Sequence, residues 1–100
     1  MEKILCAAVW FNDGVDTYVH QPKNIKTGYV VAGRRHHNCF TIHAMLKGLK
    51  PNNFDIEQGF ITDTDRFVNR EDAFTIAENA NQLNDRNRFT NRTLFSEDLY

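Results

Sequence analysis

Thr27–His43 (TGYVVAGRRHHNCFTIH) is the stretch in which the apolar pattern of the chain changes period. Thr27–Ala32 is rich in β-branched and aromatic residues and ends at Gly33, which suits a short strand. From Arg35 onward the apolar residues Cys39, Ile42, Leu46 and Leu49 return at steps of three or four, the stripe of a helix, and Pro51 marks its end. A strand therefore passes into a helix through the basic turn Gly33-Arg34-Arg35. The other elements are arranged around that junction.

Upstream, Ile4–Phe11 (ILCAAVWF) is a nearly continuous apolar run closed by Asn12-Asp13-Gly14. It predicts a strand buried on both faces that enters a tight turn, with Val15–Val19 returning as its partner until Pro22, which cannot donate to a ladder. Downstream, Ile56–Thr62 and Arg66–Val68 read as two strands joined in a hairpin through Asp63-Thr64-Asp65. Asn69 is placed to cap a second helix, in which Glu71 and Asp72 complement the positive end and Ala73, Ile76, Ala77 and Ala80 share a face. Asn81–Arg92 is polar enough to be a loop or an arm that a partner orders, and Leu94–Tyr100 is apolar and aromatic enough to dock. The expected fold is a single α+β domain over residues 1–100, a small, mostly antiparallel sheet of short strands packed against two helices.

Bulk properties narrow the function. Twelve Lys and Arg against thirteen Asp and Glu leave a formal net charge of -1, so no global field draws the chain onto duplex nucleic acid or an anionic membrane. An anionic ligand must be met by a local cluster. No apolar run reaches the roughly 20 residues needed to span a bilayer, in line with a mean hydropathy of -0.56. Without a hydrophobic leader after Met1, Cys6 and Cys39 are expected as reduced thiols inside a cell.

Arg34-Arg35-His36-His37-Asn38 lies where strand gives way to helix. Helix-start N–H groups, the helix dipole and two adjacent guanidinium groups all favour phosphate there, although the same residues also fit a solvated turn paired with carboxylates. His36, Cys39 and His43 fall at i, i+3 and i+7, a spacing that suits zinc or a packed helix face. Cys39 belongs to the apolar stripe and no C-x-x-C pair is present, so no metal and no cofactor are expected. His36 or His37 as a general base would make the chain a phosphodiesterase-like hydrolase, but no H-x-T pair, P-loop or H-x-H-x-D cluster accompanies them. Gly59 next to Phe60-Ile61 can leave a ring open for base stacking, or Phe60 can be core. Asn69 can meet an adenine edge or cap its helix. Arg70 and the late arginines Arg86, Arg88 and Arg92 can close over an anion or remain a solvated loop.

In combination, AAVWFNDG, HQPKNIKTGYVVAGRRHHNCF, QGFITDTDRFVNREDAFTIA and the terminal LFSEDLY resemble small bacteriophage proteins of the Thoeris anti-defence sponge family, first-described type, over most of the chain. The resemblance implies a non-enzymatic role in the host cytoplasm: sequestering, without cleavage, a cyclic ADP-ribose isomer made by a host TIR-domain immune enzyme. It further implies dimer-based homo-oligomers, and in some members a separate site for cyclic oligonucleotides. By this likeness Arg35 would contact phosphate, Phe60 and Ile61 would wall the base, Asn69 would make a polar contact, and Arg86, or Arg88 in its place, would come from the late loop. Arg34 completes the expected ligand-binding set.

Overall fold

The computed structural model of the protein describes residues 1–16, 19–47, 55–84 and 92–100. Four strands form one antiparallel sheet: β1 (Ile4–Asn12), β2 (Tyr29–Gly33), β3 (Asp55–Thr62) and β4 (Phe67–Asn69), in the order β2-β1-β3-β4. Two helices accompany them, α1 (His36–Lys47) between β2 and β3 and α2 (Arg70–Asn79) directly after β4. The expected α+β architecture is present. β2 and β3 both run antiparallel to β1, so they are parallel to each other, and α1 carries the chain from one side of β1 to the other.

Period-two alternation along β1 puts Ala7, Val9 and Phe11 on one face. Ala7 packs in a cluster with Phe60, Val68, Ala73, Phe74 and Ala77, whereas Val9 and Phe11 pack with Tyr29 and Cys39. Both helices therefore cover the same face of the sheet. The core is built around β1, where Ala7, Ala8 and Val9 are fully buried; at its start a register shift between Ile4 and Cys6 leaves Leu5 exposed, so the strand is not enclosed along its whole length.

Two expectations are corrected. The next strand in the chain to pair with β1 is β2, with Ala8 opposite Ala32 and Trp10 opposite Val30, rather than Val15–Val19, of which the described residues form no strand and two lie outside them. Asn12 and Asp13 cap the turn through side-chain bonds to the N–H groups of Gly14 and Val15, so the chain leaves the sheet there. It then spans the sheet: Gln21 Oε1 accepts from Val30 N–H of edge strand β2, and three residues later Asn24 pairs with both the N–H and the C=O of Phe67 in edge strand β4. The indole of Trp10 donates to the Thr27 carbonyl at 2.9 Å under this crossing.

The second correction concerns α1. Its buried positions are His36, Cys39 and His43, while Ile42 and Leu46 are exposed and Leu49 lies outside the described residues. Histidine can take core positions here because its polar atoms find partners: His43 stacks on Phe11 with centroids 3.7 Å apart and shares a 2.8 Å hydrogen bond with the Tyr29 hydroxyl. The α2 reading holds: Asn69 Oδ1 accepts from Asp72 N–H at 2.8 Å, and Ala73 and Ala77 are buried, joined by Phe74. The β3–β4 hairpin pairs Gly59 with Asn69 and Ile61 with Phe67.

Candidate ligand site between two helix starts

Register fixes where the helices begin. α1 starts just after Gly33, opposite Ala7, and runs toward Phe11, where His43 stacks. α2 starts after Asn69, whose partner Gly59 lies opposite Ala8, and runs toward Ile4, which Gln82 clasps through both its N–H and its C=O. The two helices thus diverge from one level of the sheet with their N-termini close together. His36 marks the proximity directly, because its Nε2–H donates to the Gly59 carbonyl at 2.8 Å, across from Asn69.

The last described segment, Leu94–Tyr100, fills the space between these starts, held by a Leu94 N–H bond to the Arg70 carbonyl and by burial of Leu94, Ser96 and Asp98. Ser96–Asp98 forms a 3-10 turn closed by Asp98 Oδ2, which accepts from Phe95 N–H at 3.0 Å. Three arginines converge on this segment. Arg35 Nη1 donates to Ser96 Oγ at 3.2 Å and lies 3.6 Å from Glu97 Oε1, while its Nη2 bonds the Tyr100 carbonyl. Arg34 and Arg35 place their guanidinium carbons 5.8 and 5.1 Å from the Tyr100 ring centroid, and the Tyr100 hydroxyl donates to the Arg34 carbonyl. Arg70 stacks 4.6 Å over Phe95 and bonds the Leu94 carbonyl and Gln58 Oε1.

The charges report on one another. Burial lowers the His36 pKa below its usual range; the Gly59 carbonyl and Glu97 oppose that shift and Arg70 reinforces it. Burial likewise lowers the Arg70 pKa, against the pull of Glu97. Burial raises the Tyr100 phenol pKa, so its hydroxyl is a donor at neutral pH. Glu97 therefore acts on Arg35, Arg70 and His36 together. The positive ends of α1 and α2 add to the same field.

The expected site residues distribute unevenly. Arg34 and Arg35 stand in this cluster, and Asn69 borders it as the cap of α2. Phe60 is 0% exposed, with its ring packed edge-on against His36, so within the chain it offers no open face to a base. Ile61, the next residue along β3, points to the reverse face beside Cys6, and the two cannot form one wall. A Cβ added at Gly59 would lie 2.1 Å from the Val68 carbonyl oxygen and 2.7 Å from Phe67 Cζ, so the space there is filled by β4. Arg86 and Arg88 lie outside the described residues. Arg92 pairs with Glu78 at 2.9 Å and stacks over Phe74.

His36, Cys39 and His43 share the inner face of α1 but serve separate partners. Cys39 Sγ points to the Ala7 and Arg35 carbonyls, and burial pushes its pKa up to about 11. Among the described residues no group of three or more His, Cys, Asp or Glu is disposed to hold a metal.

Arg70, Phe95, Glu97 and Tyr100 are the residues that sequence reading left outside the expected set. A signal was present for Arg70 alone: the chain has two strand-to-helix junctions, Gly33-Arg34-Arg35 and Asn69-Arg70, each with arginine at the helix start.

A family model described as phage T4 y16D protein matches residues 3–100. The chain belongs to that family. The match places this y16D-family chain among phage proteins, and it spans every element from β1 to the Tyr100 contact. No curated protein and no solved structure matches it. Among the described residues of this family member no helix is long and apolar enough to cross a membrane.

Proposed function

We propose that this phage protein binds a cyclic ADP-ribose-type signalling nucleotide made by a host TIR-domain immune enzyme and holds it without cleaving it. It would act in the host cytoplasm as a dimer-based homo-oligomer, and a cyclic oligonucleotide at a separate site would be a second cargo. The observation that carries the reading is the convergence of Arg34, Arg35 and Arg70 with the Phe95 and Tyr100 rings between two helix starts. A cyclic dinucleotide-like ligand carries two phosphates and one adenine, so clustered guanidinium donors whose planes already accept aromatic rings match its chemistry.

A hydrolytic role for His36, one of the two candidate bases, is disfavoured by its state; His37, the other, is exposed. The His36 Nε2–H is committed to Gly59, and burial keeps the ring neutral with its position fixed by packing against Phe60. That is the geometry of a structural imidazole, whereas a general base must reach the reacting group.

The test is chemical recovery. Protein incubated with a cyclic ADP-ribose isomer, washed and heat-denatured should release the nucleotide with unchanged mass, and Arg35→Ala should lower the retained amount at least about tenfold, as expected for loss of charge-assisted bonds. Release of a linear product, or equal retention by Arg35→Ala, overturns the reading.

A further inference from the structure

We propose that the segment Phe95–Tyr100 is a resident competitor for the arginine site, which a pyrophosphate-bearing nucleotide must displace in order to bind. The inference rests on the nucleotide reading above and concerns how that site is held before ligand arrives.

Alternation along the segment separates anchors from presented groups. Leu94, Ser96 and Asp98 are buried at 0, 1 and 2% exposure, so the segment is docked. Between them Phe95 presents its ring to Arg70 and Glu97 its carboxylate to Arg35, and beyond the last anchor Tyr100 presents a second ring to Arg34 and Arg35. Rings on guanidinium planes and an anion on a guanidinium edge are also what a nucleotide brings. The segment thus reproduces, within the chain, the contacts of the class of ligand proposed.

The hold is reversible by construction. The Glu97 carboxylate accepts from the neighbouring Ser96 Oγ at 3.0 Å and lies 3.6 Å from Arg35, longer than a charge-assisted hydrogen bond, with 45% of its side chain exposed; an ion pair of that length and exposure is weak. The Arg35 fork meets three separate groups, Ser96 Oγ, Glu97 and the Tyr100 carbonyl, and a pyrophosphate offers several charged oxygens in their place. Selectivity follows, because a ligand without adjacent phosphates would gain little over the resident Glu97. Displacement would also loosen the last turn, in which the Leu99 and Tyr100 N–H groups bond the Ser96 carbonyl.

Titration calorimetry with inorganic pyrophosphate, ADP-ribose and adenosine on the full chain tests this, with Glu97→Gln chosen because it keeps shape and removes charge. The variant is expected to bind pyrophosphate and ADP-ribose about fivefold tighter, the scale of a lost surface ion pair, and adenosine binding should stay weak in both proteins. In the wild type, ADP-ribose should accelerate hydrogen exchange at the Leu99 and Tyr100 amides. If the wild type binds ADP-ribose through Arg35, so that Arg35→Ala abolishes binding, yet Glu97→Gln binds no tighter and the two amides become more protected, the competitor proposal fails and the binding function stands. If neither protein binds pyrophosphate or ADP-ribose, both fail together.

Discussion

Glu2 illustrates how one side chain can tie distant parts of the chain together at its surface. Its carboxylate accepts two bonds from Arg66, at 2.7 and 2.9 Å, and further bonds from the Thr62 and Thr64 hydroxyls. These bonds, Arg66 first, lower its pKa from 4.5 to about 2. A carboxylate whose folded pKa lies below the unfolded one stabilises the fold fully above about pH 4.5, and the contribution is lost as pH falls through about 2. His36 shifts in the same direction, so its contribution is complete above about pH 6.5 and begins to decline below it. The melting temperature should therefore fall in two stages on acidification, and Glu2→Gln should flatten only the lower one, from about pH 4.5 to 2. Thermal melts across a pH series provide the check.

At the scale of an element, α2 separates capping from ligand contact. Asn69 bonds Asp72 N–H in the usual capping geometry, so Asn69→Ala should destabilise the protein by about 1 kcal/mol in denaturant titration. If Asn69 also touches the nucleotide, nucleotide retention will fall below the level of a control variant matched in stability. The α2 boundaries were legible because capping, first-turn acids and the alanine face are local signals. The strand–turn–strand pattern of β3 and β4 was legible for the same reason. α1 misled because its stripe was judged by hydrophobicity, while its buried face contains two histidines satisfied by Gly59 and Tyr29, partners far away in sequence. The partner of β1 misled because the Asn12-Asp13-Gly14 turn looks like a hairpin turn locally and only the distant contacts of Gln21 and Asn24 reveal the crossing. For the site, the arginines at both junctions were visible, but the meeting of the two junctions depends on register across three strands. The acidic and aromatic side chains that meet the arginines could be placed only by that meeting.

For the whole molecule, the crossing between β1 and β2 does more than connect strands. Asn24 satisfies both backbone groups of Phe67, and Gln21 takes the Val30 N–H, at the two outer edges of the sheet. Replacing Asn24 by Ala should lower the denaturation midpoint by the equivalent of about 1–3 kcal/mol through two lost bonds, and light scattering at elevated concentration should rise, since an uncovered edge is a template for pairing. The folded chain carries side-chain amides of its own at positions where a neighbouring strand would dock, which disfavours edge-to-edge growth of the sheet into ribbons. If the phage protein assembles as proposed, the exposed Ile42, Met45 and Leu46 of α1 offer its copies a side-chain surface, and the assembly should be a closed, countable one rather than a fibre.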